Sequence, residues 1–160
     1  MSYRLEVIKD ELGFASAHFI TYHQRCERLH GHNYQAAVEI EGELGPDGFV
    51  FDFIALKRIM RELCQELDHR VLLAAQNKHL TFTEQEGHLT VTYEDKRYVF
   101  PLDAVVMLPI ANTTAELLAT YLCKRLKARL REAGAAYIKR VAVSVSEGPG
   151  QRGIYSEPFE

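Results

Sequence analysis

The chain has 160 residues, 47% hydrophobic and 26% charged, the make-up of one soluble domain able to bury its own core. Its 19 Lys and Arg against 22 Asp and Glu leave a formal net charge of −3, which argues against a dedicated nucleic-acid binder. Three widely spaced cysteines, Cys26, Cys64 and Cys123, make no disulfide framework, and the opening MSYRLEVIKDELG holds no apolar leader, so a reducing cytoplasm is the expected setting.

Residues 3–10, YRLEVIKD, alternate apolar and polar, predicting a first strand that continues towards His18. Residues 32–44, HNYQAAVEIEGEL, alternate likewise and predict a second strand, antiparallel to the first. GPDG at 45–48 marks a turn, after which FVFDF is expected to resume extended chain. From Ile54 to Leu67 the period changes, and Leu56, Ile59, Met60, Leu63, Cys64 and Leu67 form one helical stripe. LTFT, HLTVTY and RYVFP within residues 79–101 predict a hairpin or three-stranded meander, inside an insert of about 75–111. Thr113 and Glu116 have the spacing of a capping box, and the helix behind them runs through Leu118, Leu122 and Leu126 until Gly134. Residues 137–147, YIKRVAVSVSE, predict a further strand, and GIYSEPF a short last one. With the insert set aside, the order is two strands, two helices, two strands. This is an α+β domain with no crossover that forces a parallel sheet.

The chemistry concentrates in CERLHGHNY, residues 26–34. On a strand, His30 and His32 point to the same face. A His-x-His pair is common by itself, but His18, at the end of the neighbouring strand, supplies a third imidazole. Three neutral histidines with one open position are the ligand set of a catalytic zinc. Cys26 has two readings here: a fourth ligand that closes a structural site, or a free thiolate favoured by Arg25, Arg28 and the cation. Asp68 and His69, after the first helix, are either a proton-transfer pair or a solvated helix end. Glu147 either binds an amidine-like edge or lies exposed at a strand end. Cys64 and Cys123 lie in the helices and read as structural.

FASAH at 14–18, CERLHGHNY at 26–34, LDH at 67–69, NTTAE at 112–116 and Glu147 occur together and in order. In this the chain resembles the 6-pyruvoyltetrahydropterin synthase and 6-carboxytetrahydropterin synthase family. The resemblance implies a T-fold (tunnelling fold), an antiparallel ββααββ unit whose sheets join between subunits, and a homo-oligomer, a dimer of trimers being favoured, with interfacial active sites. It implies zinc on His18, His30 and His32, Cys26 as catalytic base, and Asp68 with His69 as the proton-transfer pair. It places the pterin on Glu147, near Thr114 and Glu116, and leaves Arg25, Arg28 and Arg70 as candidates for the triphosphate. Three residues rather than five separate Cys26 from His30, as in the bacterial carboxypterin branch. The expected reaction therefore converts 7,8-dihydroneopterin triphosphate to 6-carboxy-5,6,7,8-tetrahydropterin, acetaldehyde and triphosphate, in queuosine (deazapurine) biosynthesis. A 6-pyruvoyltetrahydropterin synthase of tetrahydrobiopterin biosynthesis and a non-catalytic pterin-binding homologue are the alternatives. No nucleic-acid or membrane partner is expected. Three departures from the family's bacterial members stand out: the long insert, RVLL after LDH where an Asn or Asp is usual, and Gly148 where Ser or Thr often follows the glutamate.

Overall fold

In the computed structural model, which describes residues 1–160, the alternating stretches assemble into one seven-stranded sheet. The central strand is β5 (His30–Gly42). Its first half pairs antiparallel with β2 (Gly13–His18) and its second half with β1 (Tyr3–Val7). The predicted continuous first strand is therefore two, broken by a 3-10 turn at Asp10–Leu12 that buries Leu12. On the other side of β5 run β11 (Ile138–Gly148) and then β12 (Gln151–Pro158), both antiparallel. Between β2 and β5 the chain makes a small hairpin, β3 (Thr21–Tyr22) and β4 (Arg25–Cys26).

Two further strands escape the sequence pattern. β6 (Arg70–Ala74) and β10 (Val105–Leu108) pair parallel with each other, and β6 pairs parallel with β2. The sheet is thus antiparallel except at this edge, where the expectation of no parallel pairing is corrected. Between β6 and β10 the insert forms its own antiparallel sheet, β7 (Thr81–Gln85), β8 (His88–Tyr93) and β9 (Lys96–Pro101), as the alternation predicts.

The two helices lie on one face of the main sheet. α1 (Phe53–Leu67) starts one residue earlier than predicted, and FVFDF does not form a strand. Asp52 caps the helix instead, accepting from the amides of Ile54 and Ala55, an arrangement worth about 1 kcal/mol. α2 (Ala115–Glu132) ends at Gly134, whose φ of +74° an L side chain rarely adopts. The helical stripes Leu56, Ile59, Met60, Leu63, Leu67 and Leu118, Leu122, Leu126, Leu130 meet Phe14, Tyr34, Ala36, Val38, Ile40, Val141, Val143 and Val145 of the sheet in one core. A second, smaller cluster lies on the opposite face, where the insert covers the β6–β10 edge through Leu89, Val91 and Tyr93. No helix is long and apolar enough to cross a membrane.

Candidate active site

The core face of β2 and β5 carries Phe14, Ser16 and His18 against Tyr34, His32 and His30, with His18 opposite His30 and Ser16 opposite His32. Apolar packing thus gives way, one residue pair at a time, to a three-imidazole end. The three ligand nitrogens lie within 4.8 Å of one another. Backbone carbonyls fix two of the rings: Nδ1 of His18 donates to the Thr113 carbonyl at 3.0 Å, and Nδ1 of His30 to that of Arg28 at 2.7 Å. This tautomer leaves the Nε2 lone pairs free to bind a cation. The buried Nε2 atoms of His18 and His32 have no hydrogen-bond partner. Burial lowers the pKa of His18 to about 4, keeping the imidazole neutral as a ligand must be. An all-imidazole set with orphaned nitrogens and an open side suits zinc.

Those nitrogens look into a cavity of about 660 Å³, the size that takes a drug-sized ligand. Glu147 closes one side, its carboxylate oxygens 3.7 Å from His18 Nε2 and 3.8 Å from His32 Nε2. Thr114 and Glu116, at the start of α2, line the same cavity. The predicted capping box moves by one residue. Thr114 is the cap, accepting from the Leu117 amide, while the Thr113 hydroxyl donates to the Phe19 carbonyl beside His18. β12 approaches this helix start only because position 153 is glycine: a Cβ there would lie 2.6 Å from the Glu116 nitrogen. Gly153→Ala is therefore expected to cost about 1–3 kcal/mol, read as a lowered denaturant midpoint.

The hairpin between β2 and β5 delivers a residue that sequence reasoning missed. Chain alternation across β4 turns Cys26 and Glu27 to opposite sides. Cys26 is buried in the smaller cluster with Phe19, Leu73, Leu89, Val91, Tyr93 and Val105, and is absent from the cavity lining. Burial pushes its thiol above the ordinary value, with Lys96 pulling partly the other way, a direction opposite to the activation expected from Arg25 and Arg28. Glu27 lines the cavity instead. Its Oε1 accepts from the Ile20 amide and its own amide donates to the Ile20 carbonyl, both at 3.0 Å.

Asp68 and His69 do pair, His69 Nδ1 lying 2.8 Å from Asp68 Oδ2. The Ala15 amide and His69 hold the Asp68 carboxyl below its usual range. They stand apart from the histidine cavity, however. His69, with a side chain 83% exposed, borders a second recess lined mainly by Ala15, Ala17, Gly31 and Asn33, which alternate with the histidine face; of the three histidines only His32 also borders it. Of the basic candidates, Arg70 borders that recess, and neither Arg25 nor Arg28 lines the histidine cavity; Arg152 does.

The sequence profile of 6-pyruvoyl tetrahydropterin synthase matches residues 7–158. The chain belongs to the 6-pyruvoyl tetrahydropterin synthase family. A Methanocaldococcus jannaschii relative, provisionally named a 6-carboxy-5,6,7,8-tetrahydropterin synthase, is 39% identical over 93% of this chain and 92% of its own. A Pyrococcus furiosus dihydroneopterin monophosphate aldolase is 41% identical over 37% of this chain and half of its own. Among solved structures, Plasmodium vivax 6-pyruvoyltetrahydropterin synthase superposes with a TM-score of 0.93 at 30% identity, over 99% of both chains. It was solved as a variant in which a catalytic glutamate is replaced by alanine. The family's T-fold thus accounts for the whole chain, insert included, and the chain is a pterin synthase or lyase of this family.

Proposed function

We propose that this family member is a zinc-dependent lyase that cleaves the side chain of a 7,8-dihydroneopterin phosphate, with Glu27 as its base. The observation that carries this reading is the shared cavity, in which Glu27 and Glu147 face the three histidines. His18, His30 and His32 would hold the metal, which supplies Lewis acidity towards the side-chain hydroxyls. Glu147 would bind the pterin's amidine-like edge and orient the side chain towards the histidines, with Thr114 and Glu116 beside it. Glu27, its carboxylate oriented by the Ile20 amide, would take a hydroxyl proton.

The relatives' names favour 6-carboxy-5,6,7,8-tetrahydropterin as product, with release of acetaldehyde and triphosphate, and hence a place in queuosine biosynthesis in the cytoplasm. Carboxylate rather than thiol at the cavity favours a second reading, aldol-type cleavage. There Glu27 removes the 2′-hydroxyl proton, the C1′–C2′ bond breaks, and its electron pair passes to C1′ and the conjugated pterin imine. The two-carbon phosphate leaves as an aldehyde, and protonation of C1′ leaves a 6-hydroxymethyl group. Incubation with 7,8-dihydroneopterin triphosphate, followed by mass spectrometry, separates the two readings: a carboxypterin with acetaldehyde supports the first, and a hydroxymethylpterin with a glycolaldehyde phosphate the second. A pyruvoyl product returns the biopterin-type alternative, and an untouched substrate leaves only a pterin-binding homologue. Because Asp68 and His69 face away from their own chain's cavity, we assign them to the cavity of a second copy in a homo-oligomer. A monomer by light scattering would remove that role.

A further inference from the structure

We propose that the three-stranded insert is the positioning element of the base, gripping the hairpin that carries Glu27 from behind, with Lys96 as the principal positioning residue. This rests on the assignment of Glu27 above. No residue of β7, β8 or β9 lines the histidine cavity, so the insert is neither lid nor wall. It touches the hairpin instead. Lys96 Nζ donates to the Cys26 carbonyl at 2.9 Å, one residue before the base. The Cys26 side chain is clamped among Leu89, Val91 and Tyr93 of β8. The Tyr98 ring stacks on Phe19, next to the ligand His18, with ring centroids 5.2 Å apart.

The hairpin needs such support. Each of its strands has two residues, and a two-stranded hairpin of this length has little stability of its own. Its turn is made by His23 and Gln24 at φ of +47° and +59°, a conformation that non-glycine residues adopt under strain. On the far side Asn112 bonds both the amide and the carbonyl of Thr21, and Asn77 bonds its hydroxyl. These hold β3. The three-stranded sheet of the insert is what holds β4, and β4 leads into Glu27.

Lys96→Met and Lys96→Arg in the full chain test this, since Lys96 is exposed and its loss spares the main core. Lys96→Met is expected to lower kcat on the order of 10-fold with KM and bound metal unchanged, as for a misplaced catalytic group. Ile20 and Glu27 amides, which close the hairpin, should exchange hydrogen roughly tenfold faster, while amides of β11 keep their protection. Lys96→Arg should recover most of kcat. Unchanged exchange at Ile20 and Glu27, or acceleration spread equally over β11, overturns the proposal. Glu27→Gln is measured alongside: full turnover there overturns the base assignment, and the exchange data still decide whether the insert grips the hairpin.

Discussion

Glu27→Gln is expected to lower kcat by roughly 10²–10⁴-fold, the usual contribution of a positioned general base, while zinc content stays at the wild-type level. The amide can still accept from the Ile20 nitrogen, so the hairpin keeps its closing contact, but it cannot take a proton. Cys26→Ala is the contrasting variant. It removes a sulfur from a closed apolar cluster, so the expected cost is about 1–2 kcal/mol of stability and less than a tenfold loss of kcat. Purified variants compared by steady-state turnover and metal analysis distinguish the two residues. If Cys26→Ala abolished turnover while Glu27→Gln spared it, the thiol would have to reach the cavity, and the base would be Cys26 after all.

The contrast between these neighbours shows where the sequence stops being informative. Alternation announced β1, β5, β11 and the insert because each of those strands has faces of different polarity. The period of two along β5 put His30 and His32 on one face, and the register with β2 sets His18 opposite His30. RVLLA and VVML have no such period, since Leu72, Ala74 and Leu108 join the core under the helices while Leu73 and Val105 join the cluster under the insert. Their parallel pairing was invisible for the same reason. The facing of Cys26 and Glu27 depends on the insert's contact with a four-residue hairpin, which no local pattern encodes. An apolar thiol next to a carboxylate in extended chain was the available signal: one of the two must face inward to the apolar cluster, and the thiol is the one that costs less to bury. Adjacency left Asp68 and His69 open between a proton-transfer pair and a solvated helix end, and the two side chains do hydrogen-bond. After α1 the chain runs alongside β2, the Ala15 amide donating to Asp68 and β6 pairing parallel with β2 from Ser16 onward, and neither Asp68 nor His69 lines the histidine cavity.

Removing the metal is expected to lower the melting temperature by roughly 8–16 °C. At a free zinc concentration about 1,000 times Kd the ion contributes about 4 kcal/mol, and a chain of this length shifts about 2–4 °C per kcal/mol. Chelation followed by a thermal scan measures it, and His30→Ala should show the low value with or without added zinc. A shift below 2 °C would mean that the three imidazoles do not bind the ion in the folded chain. The metal-free protein carries a further signature. His18 titrates near 4 when folded because burial disfavours its charge, against about 6.5 in the unfolded chain. The unfolded state therefore binds more protons between these values, and stability must rise with pH across that window. The gap corresponds to about 3 kcal/mol, fully present above pH 6.5 and lost as pH falls to 4. Denaturant titrations of the metal-free protein from pH 4 to 7 should follow that slope, and His18→Asn, which has no proton to gain, should flatten it. A slope that survives the substitution would assign the titration to other groups and leave His18 as a ligand without a stability role.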